Sequence, residues 1–283
     1  MFSKINILFT NRKLKEVFMT GLAFPEISPV IFSIGSFAIR WYSMAYLCGI
    51  VAAWLLVLRM VKKYDLGLTR QQIEDAVFFA TIGIILGGRL GYVLFYGQDF
   101  FWDNPWQVLA IWKGGMSFHG GAFGAVMGLL YTAYSRNVSF WLLTDLAALY
   151  APIGLFLGRI ANFINDELWG RITDVAWAVR FPSGGYLPRH PSQLYEAFAE
   201  GIVIFAVLNW LWRYKGIRER RGVVSSLFVI MYGLFRIVLE YFRQPDAQLG
   251  FLWGGMTMGQ LLSFPVLLFG FYLFWRFAFK PVK

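Results

Sequence analysis

Residues 141–164 read WLLTDLAALYAPIGLFLGRIANFI, an almost unbroken apolar run with a single acid, Asp145, and a single base, Arg159. A helix needs roughly 20 mainly apolar residues to cross the hydrocarbon core of a bilayer, and this run is long enough. It is therefore read as a membrane span, interrupted by Pro152 and Gly154. Six further stretches are read the same way, Ser117–Tyr134 being the short one: Ile34–Met60, Ile73–Tyr96, Ser117–Tyr134, Leu194–Trp212, Val223–Phe242 and Met256–Phe277. The expected fold is all-α, a polytopic membrane protein of about seven transmembrane helices. Its bundle occupies residues 34–277, preceded by an N-terminal segment (1–33) and followed by a short tail (278–283). Residues 165–192, rich in Gly, Pro, Asp and Arg, read as a small folded element outside the membrane.

Composition supports this reading. Hydrophobic residues make up 58% of the 283 positions and charged residues only 15%. A soluble domain is about one quarter charged, so water is the wrong solvent for most of this surface. The aromatic fraction of 19% suits long contact zones at the membrane–water interface. The one cysteine, Cys48, excludes an internal disulfide framework and any Cys-rich metal cluster, and two histidines are too few for most histidine metal sites. Neither a metal nor a cofactor is expected.

The net charge of +10 is explained by the positive-inside rule, not by nucleic acid. Arg59, Lys62, Lys63 and Arg70 share one side with Arg136, with the dense set Arg213, Lys215, Arg218, Arg220 and Arg221, and with Arg276, Lys280 and Lys283. That side is the cytoplasm, which places the N-terminus and the 165–192 element outside and the C-terminus inside. Lys4, Arg12, Lys13 and Lys15 run against this bias. Met19 opens a plausible start of its own, so residues 1–18 read as an upstream extension. Their apolar run, Ile5–Phe9, is too short for a cleaved signal peptide.

Charges inside spans cost at least a few kcal/mol each and usually serve a purpose. Arg89, Arg159 and Arg236 lie on three separate spans and are expected to form a cationic interior, whose natural guest is phosphate bound by guanidinium forks. Simple Arg–Glu pairing between helices is the alternative. Tyr232, Arg236 and Glu240 follow one another at intervals of four and share a helix face, as do Glu196 and Glu200. His119 sits in GGMSFHGG (114–121), where glycines let backbone and substrate come close. It reads as a structural imidazole or as a general base with a pKa near working pH. His190, in RHPSQ (189–193), reads as architectural, with substrate contact as the alternative.

Four motifs carry a specific resemblance: GRIANFINDELWG (158–170), Gly114–Gly121, RHPSQLYE (189–196) and FRQPD (242–246). Together, and in this order, they resemble the bacterial phosphatidylglycerol–prolipoprotein diacylglyceryl transferases from about Phe24 onward. The family has Gly between the Asn and Glu of the first motif, where this chain has Asp166. The resemblance implies a multi-pass protein of the bacterial cytoplasmic (inner) membrane whose partners are phosphatidylglycerol, the signal peptides of preprolipoproteins and membrane lipid. It implies transfer of a diacylglyceryl group to the lipobox cysteine thiol, with release of glycerol phosphate. His119 matches the family's essential histidine, and Arg159 and Arg236 its essential arginines. Tyr42, Asn162, Glu167, Gly170, Tyr232 and Glu240 match residues near the site, with Arg89 and His190 as further substrate contacts. Trp169 and the outer element are expected to form the rim where the lipobox arrives. The rival from another class is a phospholipid or anionic-solute transporter, which commonly shows paired repeats with broken spans; none is visible here.

Overall fold

A computed structural model of the protein describes residues 21–35, 37–96, 106, 108, 110, 114–245, 250 and 252–279. Among them are seven long helices: α1 (Trp41–Tyr64), α2 (Arg70–Tyr96), α3 (Phe118–Ser135), α4 (Phe140–Ile164), α5 (Ser192–Leu211), α6 (Val223–Leu239) and α7 (Met258–Ala278). Five are long and apolar enough to cross a membrane (α1, α2, α4, α5 and α7), and α6 is a shorter apolar helix. The expected spans thus coincide with helices, and the fold is mostly helical.

The first span begins later than hydropathy suggests. Val30–Ile34 (β2) and Phe37–Arg40 (β3) pair as an antiparallel hairpin, with Gly35 at φ +60° in the turn, and α1 starts only at Trp41. β-branched and aromatic residues suit a pleated strand, and a hydropathy window cannot separate such a strand from the end of a helix. A second small sheet corrects the all-α expectation further. Leu22–Ala23 (β1) runs parallel to Val179–Arg180 (β4), which pairs antiparallel with Pro188–Arg189 (β5). The N-terminal segment is thereby tied to the 165–192 insertion. Pro152 does not interrupt α4, which is continuous through it and buries the ring.

Two packing devices position the site. The first is a glycine seam. Gly83, Gly87 and Gly91 on α2 face Gly120 and Gly124 on α3, at spacings of four. A Cβ on Gly83, Gly87, Gly120 or Gly124 would collide with the partner helix's carbonyl oxygen, so the two backbones touch. Without water to squeeze out, helices in lipid gain from such close van der Waals contact. The second device is the core shared by α1, α4, α5 and α6, where Leu149, Ile204, Leu208, Trp212 and Val224 are buried. Within α5, residues Ala197–Val203 form a π-helix, a local widening that is frequent at functional sites.

Candidate active site

Where the end of α4 nearest the insertion meets α5 and α6, three guanidiniums interlock with three carboxylates. Arg159 Nη2 lies 2.9 Å from Glu196 Oε2 and 3.2 Å from Glu200 Oε2. Arg236 Nη1 lies 3.2 Å from the same Glu196 oxygen and 3.7 Å from Glu200 Oε1, while its Nη2 reaches Glu240 Oε2 at 3.0 Å. Arg243 Nη1 adds a contact of 3.7 Å to Glu196 Oε1. Glu240 is held from behind by Thr257 Oγ1, which donates to its Oε1 at 3.0 Å. One oxygen of Glu196 therefore serves both arginines and fixes their separation.

This arrangement corrects the expected cationic interior. Three arginines against three glutamates leave no net formal charge, because an arginine held among helices draws carboxylates to itself. The two signs are nevertheless not equally placed. The side chains of Arg159, Arg236 and Arg243 keep 13–15% exposure, while those of Glu196 and Glu200 keep 1% and 0%. The two carboxylates are enclosed, while each arginine side chain keeps a small part of its surface uncovered. The described hydrogen bonds of Arg159 run from Nε and Nη2 to Glu200.

Other predicted residues gather around this cluster. Asn162, one turn beyond Arg159, donates to Glu167 Oε1 at 2.7 Å, and Asn165 donates to the same oxygen at 3.3 Å. Tyr232, one turn before Arg236, stacks between Phe228 (6.1 Å) and Phe118 (5.8 Å), and the ring of His119 stands edge-on to Phe118 at 5.7 Å. His119 is exposed, hydrogen-bonds to no described residue, and lies within reach of the charge on Arg236. The ring of Tyr42 packs on that of Tyr46 at 5.2 Å, and the Tyr46 hydroxyl donates to that of Tyr42 at 3.5 Å.

Three predicted residues stand apart from the ion cluster. Arg89 donates from Nε to the Val108 carbonyl (3.0 Å) and from Nη1 to the carbonyls of Gly114 (2.5 Å) and Gly115 (3.3 Å). It organises the loop that leads into His119. Ser117 completes that job: its N–H donates to the Gly88 carbonyl at 2.8 Å, and its hydroxyl caps α3 at the Gly120 N–H. Gly170 is pressed between two segments, where a Cβ would stand 2.5 Å from the His190 carbonyl oxygen and 2.6 Å from that of Phe242. His190 packs edge-on to Phe242 at 5.2 Å, with its Nδ1 3.2 Å from the Tyr195 hydroxyl. Burial draws the His190 imidazole below its ordinary pKa, with Asp174 acting the other way. Both contacts are with the protein's own aromatic side chains.

Asp166 and Leu168 both adopt left-handed backbone, at φ +56° and +57°. Asp166 uses its side chain there, accepting the Ser183 N–H on Oδ2 at 2.6 Å, and Trp169 Nε1 donates to the Ser183 hydroxyl at 2.8 Å. Arg189 lies over the Trp169 ring at 3.9 Å. Trp169 is thus held at one face by Arg189 and at its edge by Ser183.

Glu196 and Glu200 are the main omissions from the predicted site. Their shared helix face is visible in sequence, and the available signal was that intramembrane arginines need partners. Among the described residues, no group of His, Cys, Asp and Glu could hold a metal ion.

Comparisons with known proteins identify the family. The profile of the prolipoprotein diacylglyceryl transferase family matches residues 29–276. A phosphatidylglycerol–prolipoprotein diacylglyceryl transferase of Paramagnetospirillum magneticum is 52% identical over 251 residues, covering 88% of this chain and 93% of its own. The Mannheimia succiniciproducens protein of the same name is 51% identical over 252 residues (88% and 92%). That of Geobacter sulfurreducens is 50% identical over 250 residues (88% and 95%).

Proposed function

The chain belongs to the prolipoprotein diacylglyceryl transferase family, and from that premise we propose that the arginine cluster is where it transfers diacylglyceryl from phosphatidylglycerol to a cysteine thiol. The thiol is the lipobox cysteine of a preprolipoprotein signal peptide. The observation that carries this reading is the pair Arg159 and Arg236, held by one Glu196 oxygen with part of each side chain left uncovered. A phosphodiester headgroup suits two guanidinium forks.

The reaction breaks the bond between the glyceryl methylene carbon and its phosphate oxygen, and forms a carbon–sulfur bond in its place. The electron pair leaves on the phosphate oxygen, giving glycerol phosphate and a thioether. Fixed cations aimed at that developing charge are the expected largest catalytic contribution. Because the nucleophile belongs to the substrate, the enzyme needs no cysteine of its own. A thiol has an ordinary pKa near 8.5 and attacks as thiolate, so a base is required. His119, exposed beside Phe118 and without a hydrogen-bond partner among the described residues, takes that proton. Tyr42, Asn162, Glu167, Tyr232 and Glu240 orient the headgroup and the arginines. Arg89 and Gly170 shape the loops around them.

In this reading all seven long helices cross the bacterial inner membrane. The 165–192 insertion and residue 21 lie outside, and the end of α7 lies at the cytoplasm. Two features support a common outer face: β1 pairs with β4 of the insertion, and Arg59, Lys62, Lys63, Arg136 and Arg213 sit at the opposite helix ends. The test uses purified protein with phosphatidylglycerol and a lipobox peptide carrying one cysteine, read by mass spectrometry. Wild type is expected to yield a diacylglyceryl adduct on the thiol, and His119→Gln none. No adduct from well-folded wild type would overturn the reading in favour of a lipid transporter.

A further inference from the structure

The ion cluster depends on residues 240–243, which follow the last turn of α6. Glu240 holds Arg236, and Arg243 reaches Glu196. The backbone of this stretch has left the helix, so its carbonyls have no intrahelical partners, and they carry the negative end of the helix dipole. One residue of the insertion takes three of them. The Arg171 N–H donates to the Phe242 carbonyl at 2.8 Å, its Nε to the Arg243 carbonyl at 3.0 Å, and its Nη2 to the Glu240 carbonyl at 3.2 Å. The neighbouring pairing closes the seam: Gly170 bridges Arg243, and the Gln244 N–H donates to the Trp169 carbonyl at 3.3 Å.

We propose that Arg171 is a positioning residue for the transfer reaction: it clamps the turn that follows α6, so that Glu240 and Arg243 hold the arginine cluster in register. The inference rests on the transferase reading of that cluster. Arg171 meets this turn at the carbonyl oxygens of Glu240, Phe242 and Arg243. A planar guanidinium fits two carbonyls at a fixed angle, which a flexible ammonium does not. The clamp also links the insertion, where the peptide substrate arrives, to the arginines that hold the lipid.

The experiment compares wild type, Arg171→Gln, Arg171→Lys, Glu240→Gln and the double variant Arg171→Gln/Glu240→Gln, each purified in detergent. Arg171→Gln is expected to lower kcat about tenfold or more with KM for phosphatidylglycerol little changed, since small displacements of catalytic groups are costly in rate. Arg171→Lys should fall between the two, and serves alone if the glutamine variant does not fold. The double variant should lose no more than the worse single variant. Losses that multiply would overturn the proposal, because Arg171 would then act elsewhere. Hydrogen exchange provides a readout that needs no chemistry: the Arg243 and Gln244 amides should exchange faster in Arg171→Gln while the middle of α6 is unchanged. Unchanged exchange there would refute the clamp even if wild-type activity were absent, which separates its failure from failure of the transferase reading.

Discussion

Helices α4 and α6 bury charge where they meet at both ends, and the two ends treat it in opposite ways. At the end far from the insertion, Asp145 of α4 reaches the start of α6, where its Oδ2 accepts the Gly222 N–H at 2.6 Å and its Oδ1 the Ser225 N–H at 2.7 Å. Both oxygens are used, the side chain is buried, and no hydrogen-bonding capacity is offered outward. The carboxylate also sits at the positive end of the α6 dipole, which favours it. At the end near the insertion, Arg159 of α4 and Arg236 of α6 meet through Glu196, and their guanidinium edges stay partly open. A closed charge pins two helices together. An open one, fixed from behind, keeps part of its surface uncovered.

That contrast is broken or sharpened most directly at Arg159. Arg159→Lys keeps the positive charge but loses the fork, and the transfer rate should fall about 100-fold or more, the usual scale for losing one donor to a developing oxyanion. The thermal midpoint in detergent should stay near wild type. Full activity in this variant would mean that a point charge suffices and that the open edge is not a phosphate fork.

Asp145→Asn makes the opposite trade. The amide can accept only one of the two N–H groups and turns a donor toward the other, at a cost of about 2–3 kcal/mol in stability for a charge-assisted buried bond. The thermal midpoint should drop while the activity of the folded fraction stays within about twofold, on the scale of substitutions far from the chemistry. If activity collapsed with the midpoint unchanged, the two ends would be coupled and the contrast would fail.

Glu196→Gln sharpens the comparison from within the open end. Its shared oxygen sets the spacing of Arg159 and Arg236, so the neutral amide should loosen both. A fall in kcat of about tenfold, equivalent to about 1.4 kcal/mol, is expected from the loss of preorganisation. The check is single-turnover transfer measured at saturating lipid; an unchanged rate would make the carboxylate a packing residue only.

The two ends also differed in how far the sequence disclosed them. Hydropathy located the helices but not the start of α1, because the strand residues Phe37, Ala38 and Ile39 are as apolar as a helix. Pro152 reads as a break in the sequence, yet the surrounding bundle holds α4 in one piece. Arg159, Arg236 and Glu240 were legible because a charge among apolar residues demands a reason. Their partners Glu196 and Glu200 sit on a different helix, and the choice of partner is a tertiary fact. Arg89 shows the same limit: its charge is obvious in the sequence, but its target, the carbonyls before α3, depends on the path of a loop. The glycine seam was written plainly in spacings of four on α2 and α3, and only its pairing required the structure.

The smallest effect concerns a third carboxylate, one that makes the same kind of bond as Asp145 without its burial. Asp166 accepts the Ser183 N–H at 2.6 Å from a half-buried turn, with its own backbone at φ +56°. Asp166→Gly removes that bond, worth about 1 kcal/mol where water can partly replace it. It also relieves a left-handed residue, a gain of about 1 kcal/mol that is smaller for Asp than for most side chains. The two nearly cancel, so stability should change by less than about 1 kcal/mol. Asp166→Ala loses the bond and keeps the strain, and should cost about 1–2 kcal/mol. Thermal unfolding of the pair separates the contributions: alanine below glycine assigns the difference to the backbone. Equal midpoints would mean that the turn relaxes away from the left-handed region once its carboxylate is gone, and that the Ser183 bond alone holds Asp166 there.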